Sequence, residues 1–493
     1  MSSNAVQEEK LSLRGSGIIL ILLALIAMMV MFIEIMLVPA LPSIAKEFPT
    51  EKEWISWVLS AYMLVGAVST LILGRLGDIY GKKKILLVAL GFYIAGLIGS
   101  AFCWSLASLI AFRAVQGVGM GMVSLAFGIV RDTFPRRLIP VAMGIISAMF
   151  SVGVSIGLLG GGWIVSNLSW RDCFYILAPL LTIMAIACAV LIKTDETRRP
   201  AKLDLPGTAM FAGGILSLLL GLTEGQSWGW TSAGILTLFA LSAVLIIAFI
   251  FWEKRASSPI ISLRLMANRG IAGTNVAAFF IGLVMFMTFQ IMPYFLMAPA
   301  VVGGFGLTDA FMVGVYMLPS ALAQLIFAPI AGKYSRRFGA DNFLILGIGF
   351  MLLSSLMIIF LHTNLLEFLL AIFVMGIGMG LSMVSLINVI TMSAPKRDFG
   401  AATGMNTLFR VVGGAIGPVL AAVIMANFTQ MWQPPYLPVP VPITSEIGYM
   451  WVWGVGAIFS AIALVFCIIF RPGRGISFDH EVEEHEEKVV SEP

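Results

Sequence analysis

Long apolar runs constrain this chain more than any other feature of its sequence. Stretches of about 20 residues with few or no charges recur along it, and each is long enough to cross the hydrocarbon core of a bilayer as a helix. Hydrophobic residues make up 59% of the 493 residues and charged residues 11%, and the mean hydropathy is +0.99. No water-soluble fold of this size could bury so much apolar surface in one core. The sequence therefore predicts an all-α polytopic membrane protein.

The cysteines and the net charge exclude several other classes of protein. The four cysteines lie in or beside apolar runs, without the spacing of a disulfide framework or a metal site. We expect them to be inert, and we expect no metal and no cofactor. The net charge of +4 is small, and the basic residues form short clusters between apolar runs. This arrangement is typical of membrane topology, so we expect the lipid bilayer as a partner and no nucleic acid.

Fourteen apolar segments can be distinguished, which places both termini on one side of the membrane. We expect each to form one helix, and the resulting fourteen transmembrane helices to act as a monomer. The segments cover residues 17–42, 54–74, 84–104, 105–130, 139–166, 172–192, 206–223, 231–252, 271–297, 308–331, 343–362, 365–392, 399–426 and 448–470.

The basic residues indicate the orientation of these segments. With a cytoplasmic N-terminus, 25 of the 30 Lys and Arg residues fall on the inner side. The outer loops then hold Lys46, Lys52 and Arg171, and two more arginines lie inside apolar segments. Since basic residues are retained on the cytoplasmic side, both termini are predicted to be cytoplasmic, in a plasma or inner membrane. Seven tryptophans fall at the predicted outer ends, as in an interfacial belt: Trp54, Trp57, Trp104, Trp170, Trp228, Trp230 and Trp432.

Three glycine features occur twice, in the same order, at offsets of 258 to 260 residues, and the motif Pro135-Arg136-Arg137 recurs with them as Pro395-Lys396-Arg397. A repeat of this length predicts two homologous six-helix halves, 1–192 and 256–470, with an inserted helix pair with linkers at 193–255 and a disordered cytoplasmic tail at 471–493. The outer loop at about 427–447 is rich in proline and is predicted to form a stiff, extended lid. The repeated glycines are Gly74 with Gly81 and Gly332 with Gly339, Gly117-Val-Gly119-Met-Gly121 and Gly376-Ile-Gly378-Met-Gly380, and Gly144, Gly153, Gly157 and Gly404, Gly413, Gly417.

These motifs resemble the major facilitator superfamily, and the inserted helix pair resembles its fourteen-helix drug:proton antiporter branch. The resemblance covers nearly the whole chain. Its loop signature is similar to Gly74-Arg75-Leu76-Gly77-Asp78-Ile79-Tyr80-Gly81-Lys82-Lys83, its fourth-helix signature to Arg113-Ala-Val-Gln116-Gly117, and its fifth-helix signature to Gly144-x8-Gly153-x3-Gly157-Leu158-x2-Gly161-Gly162. The start of the sixth helix resembles Ser169-Trp170-Arg171 with Pro179. The signatures depart at Leu158, where the branch has proline, although the second half keeps Pro418, and at Ile79, where the superfamily has arginine.

The resemblance implies roles for particular residues. Gly74, Asp78, Gly81 and Lys82 would belong to a conformational latch on the cytoplasmic side, with Asp78 accepting hydrogen bonds from a helix N-terminus of the other half. The alternative for Asp78 is an ordinary solvated or helix-capping aspartate. A helix-packing antiporter motif would comprise Gly144, Gly153, Gly157, Gly161, Gly162, Gly413, Gly417 and Pro418.

Charged groups at membrane depth are costly and therefore candidates for function. Glu34, Arg113 and Arg410 lie within apolar segments, whereas Asp132 and Glu367 lie near helix ends. An apolar environment favours the neutral form of Glu34, which suits proton exchange. The alternative is a glutamate that snorkels to the outer interface. The arginines could stabilise the ionised Glu34, or instead donate hydrogen bonds to carbonyl groups between helices.

Neutral polar residues in the apolar segments could orient a ligand. We select Gln116, Gln290 and Asn388 together with the charged groups as proton-coupling or substrate residues; each could instead be satisfied between helices. The 29 methionines suit a site that accepts several hydrophobic shapes, but they are also ordinary packing residues.

Three functions remain for comparison. The first is a proton-coupled exporter of small hydrophobic compounds, cations among them, that works by alternating access. The second is a carrier of the same fold for an organic anion or metabolite, with Arg113 and Arg410 as anion-binding groups. The third is a membrane enzyme or pore. Since the sequence holds no nucleophile constellation, metal cluster or nucleotide-binding loop, we expect no enzyme activity.

Overall fold

The computed structural model describes residues 3–48, 52–134, 139–192, 204–256, 263–394, 399–433 and 440–471. Thirteen helices in these ranges are long and apolar enough to cross a membrane. The fifth predicted segment coincides with a further helix (Ile139–Asn167), whose described apolar stretch is Val152–Asn167. The prediction of an all-α polytopic fold is confirmed, and the count of fourteen spans stays a prediction.

The N-terminal part of the chain forms eight helices, two of which share one span. A 3-10 turn at Val118–Gly121 joins α5 to α6, so that the two cross the membrane together as Leu106–Val130. The helices are α1 (Ser3–Ile35), α2 (Leu41–Glu47), α3 (Lys52–Tyr80), α4 (Lys82–Ala101), α5 (Leu106–Gly117), α6 (Met122–Thr133), α7 (Ile139–Asn167) and α8 (Asp172–Leu191).

The rest of the chain adds nine helices and a short hairpin. Side chains cap several of these helix N-termini, among them Asp204, Ser232 and Ser445, and satisfy backbone N–H groups that have no partner within the helix. The helices are α9 (Leu205–Trp228), α10 (Ala233–Glu253), α11 (Leu263–Met266), α12 (Arg269–Met297), α13 (Ala310–Phe338), α14 (Ala340–Phe360), α15 (Leu365–Ser393), α16 (Phe399–Asn427) and α17 (Glu446–Ile469).

One face of the helix bundle carries most of the described basic side chains, and we call it the basic face. It holds the α3–α4 turn, where Lys83 donates to the Ala189 carbonyl at the end of α8. It also holds the end of α17, where Arg471 pairs with Asp341 at the start of α14. The other side is called the opposite face.

The first predicted segment, 17–42, is not one continuous helix. Helix α1 ends at Ile35, a buried turn covers residues 36–40, and α2 begins at Leu41. Pro39 explains this break, because its ring lacks an N–H and would clash with the carbonyl of Ile35, four residues earlier. The break lies directly after Glu34, within buried chain.

The proline-rich loop begins and ends in two paired strands. Its two ends pair as an antiparallel hairpin of β1 (Thr429–Trp432) and β2 (Val441–Thr444), with Thr429 opposite Thr444. The sequence analysis did not predict this pairing, in which cross-strand hydrogen bonds satisfy backbone groups that a single extended segment would leave to water. The prolines between 434 and 439 lie outside the described residues.

The tryptophans at the predicted outer ends do not all form an interfacial belt. Trp104 and Trp228 are exposed, as a belt requires, whereas Trp57 and Trp170 are buried. The indole of Trp57 donates to the Thr223 hydroxyl of α9 at 2.7 Å. These two buried rings act in helix packing, where their N–H groups also find partners.

The duplicated glycines make duplicated helix contacts. In α5, a Cβ on Gly117 would collide with the Tyr62 carbonyl of α3. In α15, a Cβ on Gly376 would collide with the Ser320 carbonyl of α13. Tyr62 and Ser320 differ by the repeat offset, so the same pair of helices packs in the same way in each half. Glycine permits this close approach of backbones.

The glycines of the antiporter motif pack on the first helix of each half. On α7 they lie four residues apart and face the backbone of the first span, whose broken end includes Glu34. Leu158 is fully buried on the same helix, and Pro418 lies inside α16. The contacting pairs are Gly153 with Met28, Gly157 with Phe32, Gly161 with Met36, Gly413 with Phe279, and Gly417 with Leu283. The surroundings of Gly144 lie outside the described structure.

The two parts of the chain meet along two pairs of helices. Helix α7 crosses α13, where Gly162 approaches the Ala310 carbonyl. Helix α3 crosses α16, where Gly414 approaches the Met63 side chain. The inserted helix α9 contacts both α3 and α16. We use "N-half" and "C-half" for the helices before and after the inserted pair; the boundaries 1–192, 193–255 and 256–470 stay predictions.

Replacing Gly161 by alanine should destabilise the fold. The added Cβ would collide with the backbone of Met36, which cannot move aside as a flexible side chain could. We expect a loss of about 1–3 kcal/mol, the usual cost of overpacking, measured by thermal unfolding of the purified protein. Gly91→Ala is the matched control, since a Cβ there meets no atom within 4 Å. Equal stability of the two variants would contradict the packing described here.

Candidate functional site

Glu34 is buried beside the break in the first span. It lies in the last turn of α1, and only 1% of its surface is exposed. Within the described structure neither carboxylate oxygen has a hydrogen-bond partner. This burial excludes the alternative of a glutamate that snorkels to the interface. A carboxyl group in this position is a strong candidate for proton exchange, since an unpaired charge there costs much more than in water.

Two guanidinium groups act electrostatically on Glu34. They belong to Arg113 and Arg410. Neither donates a hydrogen bond directly to the Glu34 carboxylate. Glu34 and Arg113 belong to the N-half and Arg410 to the C-half, so the three charged groups come together across the interface of the halves.

Arg113 is fully buried and is bound to the backbone. Its Nε donates to the Val58 carbonyl at 3.0 Å, and its Nη1 lies 3.5 Å from the Ile33 carbonyl. Ile33 lies in the last turn of α1, where carbonyls lose their intrahelical donors. The guanidinium thus stabilises the broken end of the helix that carries Glu34. This matches the expectation of hydrogen bonds to carbonyl groups, and it places a positive charge near the acid as well.

Gln116 extends the Arg113 network to α4. Its Oε1 accepts from Arg113 Nη1 at 2.7 Å, and its Nε2 donates to the Ser100 hydroxyl at 2.9 Å. Because both ends of the amide are engaged and its surface is fully buried, Gln116 positions Arg113. It is not free to bind a ligand in this conformation.

Two tyrosines that the sequence analysis did not select complete this region. The Arg113 guanidinium lies 4.4 Å from the centre of the Tyr62 ring, a cation–π contact. The Tyr62 and Tyr93 hydroxyls lie 3.3 Å apart. Both rings are fully buried. Their signal in the sequence is a phenol inside a predicted span, where its hydroxyl needs a partner.

Arg410 differs from Arg113 in exposure. Its side chain is partly exposed, and its backbone carbonyl packs against Gly282 of α12. Close approach of α16 to α12 at this glycine fixes the position from which Arg410 acts on Glu34.

The other two predicted ligand residues differ in their surroundings. Gln290 in α12 is fully buried, and neither atom of its amide group has a partner in the described structure. Asn388 donates to the Ser335 hydroxyl at 3.2 Å, near the ends of α15 and α13 at the basic face. Gln290 thus keeps free polar atoms, whereas Asn388 is engaged between two helices, away from Glu34.

The predicted latch lies at the α3–α4 turn on the basic face. Gly81 adopts a φ of 100°, which permits the sharp turn between the helices. The Lys82 ammonium contacts the Asp132 carboxylate of α6 at 2.5 Å. Asp132 is thus engaged in an ion pair of the N-half, which weakens it as a coupling acid. Gly74 faces Ser124 of α6, and the side chain of Asp78 lies outside the described residues.

Comparison with known proteins agrees with this architecture. The sequence model described as Major Facilitator Superfamily matches residues 23–209, 205–418 and 320–492. The chain is 31% identical to the multidrug transporter protein MdtP of Bacillus subtilis over 75% of its own length and 68% of that protein. It is 27% identical to the tetracenomycin C resistance and export protein of Streptomyces glaucescens, over 80% and 74% of the two chains. It is 31% identical to the efflux pump dotC of Dothistroma septosporum, over 79% and 68%.

Replacing Arg113 by lysine should destabilise the protein although the charge is kept. A lysine has no rigid fork and cannot reach the Val58 carbonyl and Gln116 together. Since hydrogen bonds from charged groups contribute about 1.5–3 kcal/mol each, we expect a loss of about 2 kcal/mol in thermal unfolding. Arg264→Lys is the control, because Arg264 is exposed. A variant as stable as this control would show that the network contributes little.

Proposed function

We propose that this chain, which belongs to the major facilitator superfamily, exports small hydrophobic compounds, cations among them, in exchange for protons. Its family and its relatives make it a membrane transporter and not an enzyme. The relatives' names, which include multidrug transport and export of tetracenomycin C, support efflux as the direction. We also propose the fourteen-helix branch, a monomer, a plasma or inner membrane location and cytoplasmic termini. Under this orientation the basic face is the cytoplasmic one.

One observation carries the proposal of proton coupling: the buried Glu34 carboxyl group has no hydrogen-bond partner in the described structure. When protonated it is neutral and suits its apolar surroundings. When ionised it attracts a cation, so a proton and a cationic substrate compete for the same group. An exporter needs competition of this kind to link the movement of protons to the movement of substrate.

Alternating access would link the protonation of Glu34 to the conformation of the protein. Arg410 acts on Glu34 from the other half, so rocking of one half on the other would change the distance between the two charges. The ionised acid is therefore stabilised in one conformation more than in the other. A proton moving down a membrane potential supplies about 2.3 kcal/mol per 100 mV, which is enough to bias such an equilibrium.

An organic anion carrier is the less favoured alternative. Its binding groups would be Arg113 and Arg410, but Arg113 is fully buried and donates to two carbonyls and to Gln116, which leaves only its Nη2 without a partner in the described structure. Reconstitution into liposomes with a pH gradient separates the two functions. A hydrophobic cation should drive proton movement if the export proposal holds, and only an anion should do so for the carrier.

Glu34→Gln should abolish uphill, pH-driven export. The amide imitates the protonated acid permanently, so binding and downhill exchange can persist while coupling is lost. Glu34→Asp keeps the charge with a shorter reach and should retain part of the activity. The measurement is accumulation of a fluorescent hydrophobic cation in inverted vesicles under an imposed pH gradient.

Glu224→Gln is the matched control for Glu34→Gln. Glu224 lies at the end of the inserted helix α9, where its carboxylate accepts from the exposed Ser227 hydroxyl at 2.6 Å. This variant should transport at nearly the wild-type rate. If Glu34→Gln accumulates the cation as well as this control does, the coupling acid lies elsewhere.

Asp78→Asn should slow the transport cycle without weakening substrate binding. The residue belongs to the predicted latch at the end of α3, outside the site around Glu34. The substitution should therefore affect the conformational change. Equilibrium binding of a labelled hydrophobic cation should match the wild type while the rate of flux falls. A loss of affinity at an unchanged rate per bound substrate would contradict the latch.

A further inference from the structure

We propose that Ser166 and the start of α13 form the contact that holds the two halves together at the opposite face. The proposal rests on the alternating access proposed above, and it assigns the closure on that side to particular residues. Ser166 belongs to the last turn of α7, in the N-half. Asp309 and Phe311 flank the first residue of α13, in the C-half.

The Ser166 hydroxyl makes two hydrogen bonds across the interface. It donates to the Asp309 carboxylate and accepts from the Phe311 backbone N–H at 2.7 Å. The same N–H also donates to Asp309 Oδ1 at 3.0 Å, since Asp309 is the N-cap of α13. The N–H groups of a first helical turn have no intrahelical acceptor. Closure therefore gives this helix end an extra acceptor from the other half.

Two glycines bring the helix backbones close enough for this contact. On α7, a Cβ at Gly162 would lie 2.8 Å from the Ala310 carbonyl oxygen. On α13, a Cβ at Gly314 would lie 2.5 Å from the Leu158 carbonyl oxygen. Leu158, Gly162 and Ser166 are four residues apart and form one stripe of α7. Ser166 continues this stripe at the opposite face.

The exposure of the contact suits a closure that must break in each cycle. Ser166 is exposed and Asp309 is partly exposed, so water can replace each hydrogen bond as the halves separate. Hydrogen bonds of this kind have a small net free energy, because water offers an alternative partner. The contact biases the equilibrium between the two conformations without locking it.

A buried reporter cysteine tests this closure directly. Leu37 follows Glu34 in the break of the first span, on its opposite-face side, and is fully buried. Leu37→Cys is placed in a background in which Cys103, Cys173, Cys188 and Cys467 are replaced. The rate of labelling by a membrane-impermeant maleimide, added from the opposite face, is then measured. Ser166→Ala should raise this rate about fivefold, as expected for the loss of hydrogen bonds with a modest net free energy.

Three further variants control the measurement. Ser166→Thr keeps the hydroxyl and should label at the parent rate. Ser227→Ala removes an exposed hydroxyl that bonds only to Glu224 of its own helix in the described structure, and it should also leave the rate unchanged. Gly314→Ala should raise the rate as Ser166→Ala does, whereas Gly454→Ala, where a Cβ meets no atom within 4 Å, should not.

The outcomes separate this proposal from the proposed function. Labelling requires neither a substrate nor a proton gradient, so a faster rate in Ser166→Ala supports the closure even if Glu34→Gln transports normally. Equal rates in Ser166→Ala and Ser227→Ala, including no labelling of either, would overturn it. Thermal unfolding of each variant shows whether a change in rate reflects opening or loss of the fold.

Discussion

The cost of keeping a carboxylate in an apolar interior is the constraint on which the centre of this protein depends. Glu34 is buried without a hydrogen-bond partner among the described residues, and one arginine of each half acts on it electrostatically. Arg113 is held by backbone carbonyls, one of them in the last turn of the broken helix that carries Glu34. In the proposed transport cycle, the charge of Arg113 stays fixed within the N-half and that of Arg410 moves with the C-half. This difference would link the protonation of Glu34 to conformation.

Close backbone contact at glycines makes such an arrangement possible. Gly153, Gly157 and Gly161 bring α7 against the first span, and Gly282 brings α12 against the backbone of Arg410. Where two helices touch through their backbones, a small rotation of one helix about the contact moves the side chains at its ends by a larger distance. Rigid pairs of helices within each half, with polar contacts between the halves at an exposed end, are therefore suited to rocking as two bodies.

Much of this architecture could be predicted from the sequence, because membrane spans are set by local composition and the repeat by residue spacing. The same is true of Glu34, Arg113 and Arg410, since a charged residue within an apolar run is conspicuous. Which neighbours satisfy a polar group depends on the packing of distant helices. The spacing of apolar residues along the chain does not show which neighbours these are.

Particular residues illustrate this limit. Asn388 could be a ligand residue or be satisfied between helices, and only the structure shows its hydrogen bond to Ser335 on a neighbouring helix. Tyr62 was not selected from the sequence, yet it lies under the Arg113 guanidinium. The break after Ile35 had a visible signal in Pro39, whose effect on the helix is local. The contact of Ser166 with α13 joins positions 145 residues apart. The most direct test of the central claim is proton release by the purified protein in weakly buffered solution when a saturating hydrophobic cation is added. Competition at Glu34 predicts release of up to about one proton per bound cation by the wild type and none by Glu34→Gln at equal occupancy; equal release by both proteins would contradict it.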